Sequence, residues 1–487
     1  MIDILKKTAK HSIIYGSGNI FVMLIGFILM PLYTRFLSPE EYGVYSIVWI
    51  MGSILALLYD MGIITGMLRW YYEYPDSEQK KRRVVLSTSA VFITLASCVF
   101  TAVFIMFSKQ ISCLLFKTDQ YFRLVNFMVL ATFFNSAAGV PLNVFRVKEQ
   151  PSKFVFVSIL RVAVLILFTV FYLVISRQGL EGVFKSFFVS SVFITAVLFF
   201  LTWKDFEKAF SWNDLSGMLR VGLPYFPVLF FSWIIDFSDR YILGRMATLS
   251  DVGLYSIGYK IGQIVYIPTR AFLFAWPPIL FSIARNKDAP KIFSKLFNYY
   301  TACIFFIALS VSLFGIDVIK IFTTPVYYEA SKVIPYIAFS YLLYGAYGYM
   351  LFALILKKDM LVQPLFLALA AVLNVILNIL LIPLYGMTGA AMATLFAYAF
   401  VAFATYIKAQ RCYRVNYEFD KLSKILGSAF ILFFLGFFVF GKEGPLFFVA
   451  RLVLIISYPF VLYLLDCFDI EVVTELKKLL LLKNKEN

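Results

Sequence analysis

The chain has 487 residues, of which 61% are hydrophobic and only 15% charged, with a formal net charge of +16. Soluble domains carry roughly 25% charged residues, so a water-soluble fold is excluded. The positive excess is scattered in short loops between apolar runs rather than gathered in a basic domain. It therefore marks topology and anionic lipid headgroups, not nucleic acid.

A bilayer core needs roughly 20 apolar residues in helical form. About fourteen stretches meet that need, and the expected fold is an all-α polytopic membrane protein. In chain order the expected helices are 12–37, 43–68, 84–108, 123–145, 154–176, 181–203 and 220–245. They continue with 253–281, 297–318, 333–356, 361–384, 387–407, 425–440 and 446–466. With the N-terminus in the cytoplasm, most Lys and Arg fall in cytoplasmic segments. The positive-inside rule then favours N- and C-termini both cytoplasmic. The tail 472–487 carries a Lys/Leu pattern suited to the headgroup plane.

An internal repeat runs through this pattern. Gly43-Val44-Tyr45-Ser46-Ile47 opens the second helix, and Gly253-Leu254-Tyr255-Ser256-Ile257 opens the eighth, 210 residues later. Gly179-x-x-Gly182 opens the sixth helix and Gly386-x-x-Gly389 the twelfth, 207 residues later. Two matches at nearly one offset predict two pseudo-symmetric six-helix bundles, 1–203 and 204–410. The final region, 411–487, adds two extra C-terminal helices and a basic cytoplasmic tail. An even number of helices per half makes the repeats parallel.

Charges inside the spans are few and costly, so they should face a protein interior or a wet cavity. Asp236 and Arg240 are four apart and expected to pair on one helix face, with Asp239 pointing elsewhere. Lys260 and Arg270 follow on the eighth helix, about 80° apart around its axis. Lys260 is placed nearer the outer mouth and Arg270 nearer mid-membrane. Arg35 ends the first helix, and Asp60 sits on the inner half of the second. Arg161 and Lys185 come from the fifth and sixth helices. Arg35, Arg240, Lys260 and Arg270 would give a groove between the halves net positive charge, suited to an anionic substrate group. Asp60, Asp236 and Asp239 are candidates for ion coupling or charge balance. Arg451, Asp466 and Lys185 are read as helix-end charges able to snorkel. Asn374 and Asn378 are read as packing residues.

His11 is the single histidine, and the five cysteines include no C-x-x-C. Neither a metal centre nor a cofactor is expected. No Gly-rich phosphate loop or catalytic constellation occurs, and no external loop is large enough for a catalytic domain, so the chain is not read as an enzyme.

Three segments carry a family resemblance: Pro31 to Tyr45; Asp239-Arg240-Tyr241-Ile242-Leu243-Gly244 with Val252 to Lys260; and Asn378 to Pro383 with Tyr385 to Thr394. Together they resemble bacterial polysaccharide-exporter flippases, the polysaccharide-transporter branch of the multidrug/oligosaccharidyl-lipid/polysaccharide (MOP) exporter superfamily. The resemblance implies a multi-pass protein of the bacterial plasma membrane. It also implies alternating-access movement of an undecaprenyl-pyrophosphate-linked oligosaccharide, such as an O-antigen unit, from the inner to the outer leaflet. A coupling ion is a further implied partner. The competing readings are a cation-coupled multidrug antiporter of the same superfamily and a membrane glycan polymerase or ligase. The first is disfavoured by a first helix without an acidic residue, the second by short external loops.

Overall fold

A computed structural model describes residues 25–284, 286–439 and 444–467. His11, the first half of the first expected span and the 472–487 tail lie outside the described residues.

The described chain is helical. From its N-terminal end run α1 (Met30–Phe36), α2 (Pro39–Asp60), α3 (Ile63–Trp70), α4 (Gln79–Met106), α5 (Ser108–Phe116) and α6 (Phe122–Ala137). Next come α7 (Gly139–Val147), α8 (Pro151–Thr169), α9 (Gly179–Thr202), α10 (Trp212–Gly222), α11 (Phe226–Met246) and α12 (Leu249–Gly262). The last are α13 (Tyr266–Ile283), α14 (Ala289–Phe322), α15 (Ile334–Leu356), α16 (Val362–Cys412), α17 (Phe419–Phe434) and α18 (Pro445–Leu464). Among the described residues eleven helical stretches are long and apolar enough to cross a membrane. The 51-residue α16 is broken at Gly386 (φ 56°, ψ −132°), which divides it into the two crossings expected from the sequence. In the stretch 249–283 an otherwise apolar run carries Asp251, Lys260, Gln263 and Arg270, and a 3₁₀ turn, Gln263–Val265, separates α12 from α13.

Local chemistry sets the joints. At the start of α2 the Ser38 hydroxyl accepts from the Glu41 amide at 3.2 Å, and the Glu41 carboxylate accepts from the Ser38 amide at 2.8 Å. This capping box, with Pro39 in the first turn, satisfies donors that a helix start leaves unpaired. The helix stops where Met61 and Gly62 turn left-handed, at φ 45° and 79°.

The matched glycines of the sequence sit in such joints. Gly179 and Gly386 both sit left-handed, at φ 55° and 56°. A Cβ on Gly182 would meet the Tyr172 carbonyl oxygen at 2.9 Å, and one on Gly389 would meet that of Leu381 at 2.3 Å. Each Gly-x-x-Gly is therefore a tight turn followed by close backbone packing. At the other matched pair the two copies touch. A Cβ on Gly43 would lie 1.9 Å from the Leu249 carbonyl oxygen, and one on Gly253 would lie 1.9 Å from that of Pro39. Pro39 and Leu249 are themselves one repeat offset apart. Such reciprocity is the signature of a two-fold contact: i meets j and j meets i. In lipid, helices associate through close packing of small residues, and this crossing is packing at its closest.

Two compact units can be distinguished. The first holds the described residues up to Ile257, with Phe322–Tyr327 and Val375–Ala390. One of its cores joins Ile63, Met67, Leu86, Val144, Leu215 and Met218. There α3 lies against α10: a Cβ on Gly66 would meet the Met218 carbonyl oxygen at 2.2 Å, and Gly62 and Gly222 oppose each other in the same way. The Trp70 indole and the Tyr74 hydroxyl both donate to the buried Asp214 carboxylate, at 3.0 and 2.7 Å. That bond and partial burial push the Tyr74 phenol up to about 12.

The second unit holds Gly258–Ile321, Tyr328–Asn374 and the described residues from Ala391 on. Its core stacks Trp276 on Tyr349 (centroids 4.6 Å apart), with Phe293, Phe297 and Phe352 around them. Here α18 is tied to α14 by Arg451, whose Nη1 lies 3.0 Å from Asp317 and donates to the Leu313 carbonyl at 2.8 Å. Arg451 is 4% exposed, so it is a buried helix tether rather than the snorkelling end residue expected. Lys185 does sit in the opening turns of its helix, 2.9 Å from Glu181.

Candidate functional site

In the first unit, α11 and α12 build a compact ionic cluster. Asp239 is fully buried and Arg240 is 5% exposed. The Asp239 carboxylate accepts from the Arg240 backbone amide at 2.7 Å and from its Nη1 at 2.9 Å, while the Tyr255 hydroxyl donates to the other oxygen. Arg240 also donates to the Asp236 carbonyl. Its guanidinium carbon stands 5.2 Å from the Tyr255 ring centroid and 5.5 Å from that of Phe237. Asp239 was expected to point away from Arg240, and the reverse holds. A short acidic side chain can fold back onto the next residue's amide, and once there it meets that residue's guanidinium. Asp236, Asp239 and Arg240 are thus brought together in one cluster.

Asp60 caps a helix: its Oδ1 accepts from the Ile64 amide at 3.0 Å, just past the α2–α3 break. It is half-buried. Arg35 lies in the last turn of α1 and is exposed. The turn beyond it is tied down where the Tyr327 hydroxyl donates to the Leu37 carbonyl at 2.8 Å.

In the second unit, Lys260 and Arg270 stand on either side of the 3₁₀ turn Gln263–Val265. Lys260 is half-buried near the end of α12, and Arg270 is exposed on α13 with its guanidinium carbon 5.6 Å from the Tyr266 ring centroid. An exposed arginine inside a membrane-crossing run needs water or polar groups around it. Polar groups are present in the same unit. Tyr266 packs its ring 5.1 Å from Tyr341 and 5.5 Å from Tyr344, and Tyr344 lies 5.6 Å from Tyr398. The Gln263 amide donates to the Tyr341 hydroxyl at 3.1 Å, and that hydroxyl bonds the Tyr259 hydroxyl at 2.8 Å. Gln363 donates to Tyr347 at 2.8 Å. The mid-helix 3₁₀ turn, a common mark of a functional hinge, brings Gln263 to this wall.

Sequence reasoning missed the tyrosine wall. Its signal was present: Tyr341, Tyr344 and Tyr347 recur every three residues along one stripe of α15, with Gly345 and Gly348 admitting α13. A Cβ on Gly348 would lie 2.5 Å from the Leu273 side chain. Tyr259, Tyr341, Tyr347 and Tyr398 are buried, and the half-buried Tyr266 and Tyr344 are the rings of this group that a hydroxyl-rich ligand could reach, with Arg270 beside Tyr266 to meet an anion. Among the described residues no group of His, Cys, Asp and Glu is arranged to hold a metal ion.

Residues 8–284 match the family described as "Polysaccharide biosynthesis protein". The chain is 22% identical to "Lsg locus putative protein 1" of Haemophilus influenzae over 287 residues, 58% of this chain and 68% of that protein. Its fold resembles that of "Lipid II flippase MurJ, inward closed conformation", with a TM-score of 0.74 and 15% identity, covering 93% of this chain and 98% of that one. It also resembles an inward-facing multidrug resistance MATE family transporter of the MOP superfamily, with a TM-score of 0.65, 13% identity and coverage of 82% and 97%.

Proposed function

The chain belongs to the polysaccharide biosynthesis protein family, with a multi-pass membrane fold of the MOP superfamily, and from that premise we propose that it is a flippase for lipid-linked glycans. The observation that carries the reading is the polar, interrupted stretch 249–283, with Lys260 and Arg270 flanking the turn that joins the tyrosine wall. A lipid-carried sugar phosphate asks for two chemistries in one place, hydroxyl recognition and anion neutralisation. We assign pyrophosphate contact to Arg270 and Lys260, with Arg35 meeting the anion near the end of α1. Arg240, held by Asp239, positions α11 against α12 and contributes to the local field. Asp60 and Asp236 remain the candidates for ion coupling or charge balance.

The substrate in this proposal is an undecaprenyl-pyrophosphate-linked oligosaccharide, moved from the inner to the outer leaflet of a bacterial plasma membrane with both termini cytoplasmic. The acyl chain stays in lipid while the head crosses. Alternating access requires α2 and α12 to part at Gly43 and Gly253 in one half of the cycle.

Depletion of the protein followed by extraction of polyprenyl-linked glycans tests this. Intermediates should accumulate, shielded from a membrane-impermeant glycan-modifying reagent applied from outside. Accumulation of outer-leaflet, unpolymerised units would instead indicate a polymerase. Drug sensitivity without trapped lipid would indicate the antiporter suggested by the MATE-like fold.

A further inference from the structure

Arg161 differs from two other arginines of the crossing helices. Arg240 has Asp239 and Arg451 has Asp317. Arg161 on α8 has neither. Its Nη2 donates to the Asn135 Oδ1 on α6 at 2.7 Å, and among the described residues no carboxylate lies within ion-pair distance of it. Both residues are half-buried and near the midpoints of their crossings, 151–175 and 122–147. Arg161 lies roughly 15 Å along its helix from Pro151, too deep for its head to reach an interface, and the Asn135 bond holds it inward.

An uncompensated guanidinium at that depth is expensive, and a neutral amide does not cancel its charge. The amide also has a definite sense. Its oxygen faces Arg161, so its Nδ2 donors lie on the same side chain as a second set of N–H groups beside the guanidinium. Two donor groups, one cationic, meet with no anion among the described side chains. An arginine fork matches the oxygens of a phosphate.

We infer that Arg161 and Asn135 form an anion site in the first unit that takes a phosphate-class anion, either free or carried on a lipid headgroup. The site is separate from the Lys260 and Arg270 pair and does not depend on the flippase reading. The anion supplies the counter-charge that the fold omits. Occupied, it ties α6 to α8; vacated, it leaves a charge that favours loosening of those two helices.

The test is thermal unfolding of the purified full-length protein in phosphatidylcholine nanodiscs, at constant ionic strength balanced with gluconate. The probes are sodium pyrophosphate and, separately, farnesyl pyrophosphate. In an Arg35→Ala/Lys260→Ala/Arg270→Ala background, which removes the other proposed phosphate contacts, at least one probe should still raise Tm in a saturable way. Adding Arg161→Gln should abolish that rise. Asn135→Asp, isosteric and supplying an internal carboxylate, should raise the anion-free Tm and also abolish the rise. A response to pyrophosphate assigns a free anion; a response confined to farnesyl pyrophosphate assigns a lipid headgroup. No response to either probe, or a response that survives Arg161→Gln or Asn135→Asp, overturns the proposal.

Discussion

Arg240 and Arg270 lie 30 residues apart in the chain, on α11 and α13, and differ in exposure. Arg240 is sealed between Phe237 and Tyr255 and bonded to a fully buried carboxylate. Arg270 is exposed, with a tyrosine ring beside it. A cation with a built-in counter-charge is a fastener, because its attraction is already used. An exposed cation can exchange the partners it has. The comparison therefore separates a sealed charge from an exposed one, a distinction hydropathy cannot make, and substrate handling by the exposed one is what we propose.

The sharpest way to break the comparison is Asp239→Ala. Removing the buried carboxylate bonded to the Arg240 guanidinium should cost about 3–5 kcal/mol, read as a large fall in Tm and in folded yield. If the Asp239→Ala protein unfolds like the wild type, Arg240 is not a fastener. Gly253→Ala comes next. A methyl group 1.9 Å from the Pro39 carbonyl oxygen must push α2 and α12 apart, at a cost of about 1–3 kcal/mol. Cysteines placed on exposed flanking positions should then cross-link less readily than in the parent. Arg270→Ala should change stability by no more than about 0.5 kcal/mol, since the side chain is exposed. Glycan export should nonetheless stop at wild-type expression, and Arg270→Lys should restore part of it. Normal glycan display in a well-expressed Arg270→Ala strain would remove Arg270 from the site.

The smallest expected effect is on pH dependence. The fold raises the Tyr74 phenol from 10.0 to about 12, so it favours the protonated form. Its contribution is complete below about pH 10 and is lost as pH rises through about 12. Tyr74→Phe should flatten that alkaline decline in Tm and leave the neutral-pH export rate unchanged.

The crossings were legible in the sequence because a bilayer imposes length and apolarity on each one, and Gly386 divides its helix where the two apolar runs meet. The matched glycines were legible because positions that need a left-handed turn or a backbone contact do not accept other residues freely. The bond between Arg240 and Asp239 was not legible. Helical spacing ranks Asp236 above Asp239, but it ignores an acidic side chain turning onto its own neighbour's amide, and it cannot foresee Tyr255 closing the other side. The burial of Arg451 was hidden for a related reason: its carboxylate is 134 residues earlier in the chain. The tyrosine wall was overlooked because tyrosine in a membrane helix is first taken as an interface anchor. Here the hydrogen bonds linking Tyr259, Tyr341 and Gln263 tie it into a buried polar network.

The crossing of α2 and α12 at Gly43 and Gly253 brings bare main chain against bare main chain. Each helix keeps its own amide bonds when the two separate, and at that point no interdigitated rotamer has to unlock. Such a joint can be tight when shut and still open over a low activation barrier, like a smooth bearing rather than a zip.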